Sequence, residues 1–459
     1  GATQAASHIS EEEAIAQGYT IIKSVDDLQK VRDNSSGKYI LMNDIDMSSI
    51  SNWDGFYGNR DYFRGIFDGN GYVIKNLTVD ASSSDAGFFS RVSGATIKNL
   101  GIENANIKGV NSLGILAGSV SNNSVISNCY TKGSVTSEGI SGVDEYKNSY
   151  SGGLVGTISG STITHCYTEV VATGTTEMGG LVGTASNGSE IDSCYAIGSV
   201  TGTDYVGGLA GDIYEANVKN CYADVEVTGR KYVGGFAGFI TSWKSNGQYE
   251  ISNNYAKGNV SYTELGAGFV GYYDKVYDDT KPTNLVNNIW FDSTGCDSAI
   301  ALNETGQDPT NLIKAELDNI NSSIFEQYGF SESIWDFSVD TPTLKNVGLV
   351  KENVSTKALE KPISVTAKEG ATSNFESLVG FKTITLTGGV TGLTRETAGL
   401  TAGSFTIAQD GANAFTFEVK ATDTVGDVID RINAGGIYHA SLDDEGRFVI
   451  SVTGKVAEI

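Results

Sequence analysis

Over most of this chain apolar residues alternate with Ser, Thr, Asn and Lys in short runs, as in Ser161-Thr162-Ile163-Thr164. A period of two places successive side chains on opposite faces of a strand, so the repeating element is β and not helical. The runs are punctuated at fixed intervals. Gly-Gly-Leu-Val-Gly stands at 152–156 and 179–183, Gly-Gly-Leu-Ala-Gly at 207–211 and Gly-Gly-Phe-Ala-Gly at 234–238, with starts 27, 28 and 27 residues apart. A constant period of this size marks one supersecondary unit stacked on itself. Three short β runs per unit, separated by Gly and Asn, fit one coil of a parallel β-helix. The fold class expected is all-β: a right-handed parallel β-helix with a small C-terminal α+β domain.

A second signature follows each glycine block: an apolar residue, a spacer, usually Asn, then a small apolar residue and an aromatic. It is written Val125-Ile126-Ser127-Asn128-Cys129-Tyr130, Ile191-Asp192-Ser193-Cys194-Tyr195 and Val218-Lys219-Asn220-Cys221-Tyr222. The same frame is read in Ile74-Lys75-Asn76-Leu77, Ile97-Lys98-Asn99-Leu100 and His165-Cys166-Tyr167, and later in Asn253-Asn254-Tyr255 and Asn288-Ile289-Trp290, eight rungs in all. Eight coils at the usual inter-strand spacing would make a rod roughly 38 Å long. Cys129, Cys166, Cys194 and Cys221 share a slot with Leu77, Leu100 and Ile289, so they are expected to be reduced, inward-facing packing residues. Cys296 lies outside that ladder. One residue on, strand alternation turns Tyr130, Tyr167, Tyr195, Tyr222, Tyr255 and Trp290 outward. A stacked aromatic row can bind sugar rings or a protein partner, and the plainer alternative is that the rings only stack on one another. Two coils carry surplus residues, at 139–151 around Tyr146 and at 241–248 around Trp243, and these are read as loops flanking the row.

Ser10 and Ser24 open two short helices in residues 1–34, an N-terminal cap over the first coil. Residues 35–345 form the β-helix with a closing segment, residues 311–320 show a helical pattern, and 333–345 are expected to close the C-terminal end of the rod. Residues 346–362 read as a linker. In the last domain, 363–459, strands are expected at 363–367, 381–387, 403–408, 414–420, 437–442 and 447–453. One helix lies among them: Thr424 and Asp427 have capping-box spacing, Val425, Val428, Ile429 and Ile432 make its apolar face, and Gly435-Gly436 stops it.

The chain has 459 residues with 31 basic against 55 acidic side chains, a net charge of −24. Such a field repels nucleic acid and anionic membrane surfaces, so neither is an expected partner. The 57 Gly against 4 Pro suit tight β turns rather than a disordered linker protein. No apolar stretch is long enough to cross a bilayer, and the opening Gly1-Ala2-Thr3 reads as that of an excised or processed fragment.

Catalytic chemistry is thinly represented. Only His8, His165 and His439 occur, none followed by Glu, so the zinc-protease pattern of two imidazoles one helical turn apart with a glutamate base is missing. His165 occupies a turn position where bonding to backbone is its plain role. Asp274, Asp278, Asp279, Asp443 and Asp444 are loop carboxylates, and the acidic loops at 43–46 and 68–70 lack EF-hand spacing. From the residues we expect no enzyme, no catalytic or metal site and no cofactor. The candidate ligand-binding residues are Tyr130, Tyr146, Tyr167, Tyr195, Tyr222, Trp243, Tyr255 and Trp290.

The glycine block with its Asn-Cys-Tyr rung resembles the GLUG motif of bacterial surface proteins, found in adhesins and in non-catalytic parts of IgA-protease-type proteins. The opening Phe63-Arg-Gly-Ile-Phe-Asp-Gly-Asn-Gly71 and the closing Trp335-Asp-Phe with Pro342-Thr-Leu-Lys345 look like the borders of such domains. The resemblance covers roughly 18–346. Ala402–Ile407, Thr424–Ala434 and His439–Ile450 resemble the flagellin IN motif of flagellins and flagellar hook-associated or cap proteins. Together these imply an extracellular, adhesin-like or filament-displayed module on a bacterial surface or flagellum. Its partners would be a host glycan, a host surface protein or other filament subunits; the alternative is a polysaccharide-binding or polysaccharide-cleaving β-helix.

Overall fold

The structure, a computed structural model, describes residues 5–6, 9–57, 60–141, 147–243, 249–320, 322–349, 351–352, 364–367, 390–409, 412–435 and 438–452. Its contacts divide the chain between residues 351 and 352 into two compact units. The first unit is a parallel β-helix. One coil runs through Val182–Ser186, Glu190–Asp192, Tyr195–Thr201 and Asp204–Gly207 before the next glycine block begins. Each of these strands pairs in parallel with its counterpart in the neighbouring coils, as Thr162 with Glu190 and Glu190 with Asn217. Side chains of one kind therefore stack in columns along the rod.

The inward column Phe67, Ile97, Ile126, Ile163, Ile191, Val218, Ile251 and Leu285 is buried throughout. A sharp corner follows each short strand. Asn99, Asn128, His165, Ser193, Asn220, Asn253 and Asn287 hold φ between 51° and 56° there. Left-handed backbone is costly for most L-residues and least so for Asn, which explains the recurrence of Asn in the motif.

Several registers differ from the sequence reading. Ile74 pairs with Ile45 and Ile102, so Leu77 lies on a different face and the cysteine slot begins at Leu100. Tyr255 pairs with Ile289, which puts Asn254 and Asn288, not Ile289, into that slot. Trp290 consequently faces inward and joins the buried core. The buried amides are matched: Asn254 donates to the Val218 carbonyl at 3.0 Å and to Asn288 Oδ1 at 3.0 Å, and Asn288 donates to the Ile251 carbonyl at 2.8 Å. A buried amide is tolerated when its hydrogen bonds are made.

Residues 311–320, expected to be helical, form the strand Thr310–Ala315 paired with Asn284–Phe291, followed by the 3-10 turn Leu317–Asn319. Pairing with an existing strand edge outweighs local helical periodicity here. A further coil thus extends past Trp290, with Asn311 Nδ2 bonded to Asn287 Oδ1 at 2.8 Å. The segment expected to close the end of the rod instead folds back along its side. Phe325, Phe330 and Trp335 pack with Tyr222, Tyr255, Ile289 and Phe291. Residues 346–348, read as linker, continue this run: Asn128 Nδ2 donates to the carbonyls of Asn346 and Gly348, and the Gly348 amide donates to the His165 carbonyl.

At the N-terminus Ser10 and Ser24 cap the helices Glu11–Ala16 and Val25–Leu28 as expected, and Thr20–Ile22 pairs in parallel with Lys38–Leu41. In the second unit the antiparallel strands Ser364–Ala367, Gly403–Gln409 and Ala412–Val419 form one sheet, and Tyr438–Leu442 with Phe448–Val452 form a hairpin. Helix Val425–Ala434 carries the capping box of Thr424 and Asp427 and buries Val425, Val428, Ile429 and Ile432 against them. The strand expected at 381–387 lies outside the described residues.

Candidate functional site

The tyrosine row is real and regular. Tyr130, Tyr167, Tyr195, Tyr222 and Tyr255 stack at centroid separations of 5.0, 4.8, 4.7 and 4.8 Å, with ring planes within 11° of parallel. The segment folded back from the C-terminal side covers its far half. Trp335 lies 6.0 Å from Tyr222 and 5.6 Å from Tyr255, and Tyr255 Oη donates to the Pro342 carbonyl at 2.5 Å. Tyr255 is 1 % exposed, Tyr222 6 % and Tyr130 7 %. The expectation of an outward row open to solvent is therefore corrected for these three, and Trp290 is not a member. Burial pushes the Tyr167 phenol up to about 12. Trp243 is exposed and meets Tyr214 and Tyr277 edge-on, apart from the row, while Tyr146 lies outside the described residues.

The four ladder cysteines and Cys296 are free and buried. Burial pushes the Cys166 and Cys221 thiols up, while Cys194 between them is pulled down, against its own burial, by hydrogen bonds from those two neighbours; all are shut away from solvent. They are packing residues.

A second pair of columns, which the motif analysis did not single out, lines the bend at the glycine blocks. The corner residue two before each Gly-Gly has positive φ: Tyr150, Glu177, Tyr205 and Tyr232, and register stacks the four in successive coils. Beside them run the outward residues Thr184, Asp212, Phe239 and Tyr272 of the strand that follows each block. The last glycine of the block brings the columns together. A Cβ on Gly211 would stand 2.6 Å from the Glu177 backbone, and one on Gly238 2.3 Å from that of Tyr205. Hence each corner residue nests against the outward residue of the next coil.

The result is a paired set of side-chain columns along the bend, a shallow face with an aromatic half and an acidic rung. Tyr205 and Tyr232 stack at 5.0 Å, Tyr232 and Tyr272 at 4.8 Å, Phe239 and Tyr272 at 5.0 Å, and Tyr205 meets Phe239 at 4.9 Å. All four rings are half-buried. In the coil before Tyr205, Glu177 accepts a 3.0 Å hydrogen bond from Thr184 Oγ1, and Asp212, 8 % exposed, has its Oδ1 buried without a hydrogen-bond partner. Burial raises the Glu177 carboxyl to about 7; burial, then the neighbouring Glu177 charge, raises Asp212 well above the usual carboxylate range. Two other acids along this side are neutralised, Asp85 by Arg91 at 2.8 Å and Asp204 by Arg230 at 2.6 Å, while Glu304 accepts from Tyr272 Oη at 2.8 Å. A cavity walled by 52–55, 79–83 and 85–87 lies at the N-terminal coils, where Asp54 and Asp85 are likewise ion-paired.

Residues 11–133 match the family described as the M26 IgA1-specific metallo-endopeptidase N-terminal region, and residues 174–201 match the GLUG motif. The first match overturns the expectation that the chain is no enzyme, since residues 11–133 are similar to a region of a metallo-endopeptidase. Among the described residues no three of His, Cys, Asp or Glu converge as metal ligands, so they do not fit a protease metal. Halomucin of Haloquadratum walsbyi is 32% identical over 152 residues, covering 30% of this chain and 2% of that protein. A putative immunoglobulin A1 protease from Bacteroides ovatus is similar at 20% identity over 71% of this chain and 91% of that one, with a TM-score of 0.46. A structure described as IgA1 protease aligns at 16% identity over 96% of this chain and 34% of that one, with a TM-score of 0.45. The chain is a GLUG-containing β-helix of surface or extracellular type. No described helix is long and apolar enough to cross a membrane.

Proposed function

We propose that the β-helix is the recognition part of an IgA-protease-type or adhesin-like surface protein and that it binds through the face at its glycine-block bend. The observation that carries this is the half-buried cluster of Tyr205, Tyr232, Phe239 and Tyr272 beside the carboxyls of Glu177 and Asp212. Aromatic rings with one accessible edge and nearby polar groups are the usual composition of a recognition surface. The tyrosine row, by contrast, is largely taken up by packing within the chain. For residues 402–450 we propose the flagellin-type, filament-displayed module implied by their motif, supported by the capped helix and hairpin there.

The test is a comparison of the protein with its Tyr232→Leu/Tyr272→Leu variant on a glycan array and in pull-downs from host surface proteins. Ligands captured by the first and lost by the second, at an unchanged unfolding temperature, support this face. Identical capture by both proteins contradicts it.

A further inference from the structure

At the acidic rung two neighbouring acids are left without a cation among the described residues. Glu177 and Asp212 lie side by side, one from the corner and one from the strand of the next coil, and neither has a cationic partner among the described residues. Elsewhere along this side two acids are met by an arginine, Asp85 by Arg91 and Asp204 by Arg230. Lys231 lies over the Tyr232 ring at 4.8 Å. At the acidic rung only a threonine hydroxyl is supplied. An unpartnered carboxyl oxygen in a buried setting is costly, and the group that would match it is a hydrogen-bonding cation.

The neighbouring rung supplies the second half of such a site. One face of Tyr205 stacks on Tyr232, and register turns its opposite face towards the Glu177 rung. A ring face beside two carboxyls suits a guanidinium or ammonium, which can stack on the ring while donating to the acids. The net charge of −24 draws basic partners towards this surface and repels anionic ones.

We propose that Glu177, Asp212 and Tyr205 form a docking slot for an arginine or lysine side chain of a basic peptide segment in the partner. This deepens the reading of that face and rests on it. Glu177, the more open of the two acids, meets the incoming cation, and Asp212 lies beside it in the next coil.

The experiment measures binding of the pentapeptide Gly-Ser-Arg-Ser-Gly, blocked at both ends, by the full chain at pH 8 and low salt. Its controls are the same peptide with lysine, the same peptide with neutral citrulline, and calcium chloride alone. The arginine peptide is expected to bind at least tenfold more tightly than the citrulline peptide. That preference is expected to vanish in Glu177→Gln/Asp212→Asn and to weaken in Tyr205→Leu, with unfolding temperatures held as the folding control. A shift of backbone amide resonances at 177, 205 and 212 on titration locates the site without mutation. Equal affinity for arginine and citrulline, or a preference surviving in the double variant, overturns the proposal. So does saturation of the two acids by calcium that leaves the peptide excluded. Ligand capture that still depends on Tyr232 and Tyr272 in any of those cases would leave the binding face standing and remove only the cation.

Discussion

Single side chains in this protein are judged by the column they stand in. Gly211 is fixed by the Glu177 backbone packed against it, so Gly211→Ala forces a main-chain shift and is expected to cost about 1–3 kcal/mol, read by denaturant unfolding. A variant unfolding at the same midpoint would show that the bend is looser than described. The acid pair gives a pH signature of defined sign. The folded Glu177 carboxyl sits at about 7, above its ordinary value, and Asp212 is shifted in the same direction. Its contribution to stability is therefore fully present below about pH 4.3 and is lost as pH rises through about 7. The unfolding midpoint is expected to fall between pH 5 and pH 8, and Glu177→Gln/Asp212→Asn should flatten that fall; an unchanged slope would mean the acids are open to water. The cysteine slot was legible from Leu100 and the four thiols, because a position that takes Leu and Cys is an apolar one. Its continuation through Asn254 and Asn288 was not, since only the structure shows where an amide buried in a core finds its partners.

At the level of strands and segments, the repeat told how the coils stack, while single-coil registers needed the pairing itself. Leu77 follows Asn76 as Leu100 follows Asn99, yet the two belong to different faces because the coil has more than one left-handed Asn corner. The folded-back segment 322–348 departs further from the sequence reading: Trp335 and its neighbours in 333–345 read as an end cap and serve, with Phe325 and Phe330, as a lateral cover. Nothing in local pattern distinguishes these, because both call for a buried tryptophan. Trp335→Ala removes the ring against Tyr222 and Tyr255 and is expected to cost about 3–5 kcal/mol of stability in the cover. Hydrogen exchange would then show loss of protection confined to 322–348 and to the tyrosine strands. Global unfolding of every coil at once would contradict a cover that packs as a separate layer. The corner columns were in plain view two residues before each Gly-Gly, but Tyr, Glu, Tyr, Tyr there carries no apolar signal and only the bend gives them a common surface.

For the whole molecule, the account turns on which aromatic face of the β-helix is open. Two ladders of similar spacing run along the first unit; the chain's own segment covers the Tyr222–Tyr255 half of one, and the other runs beside carboxyls without a cationic partner among the described residues. A recognition role requires the second to be the accessible one. Hydroxyl-radical footprinting with mass spectrometry measures this directly, because ring oxidation follows solvent access in the folded state. Tyr205, Tyr232, Phe239 and Tyr272 are expected to oxidise several-fold faster than Tyr222 and Tyr255. Equal rates, or faster oxidation of Tyr222 and Tyr255, would contradict it and return the binding role to the tyrosine row.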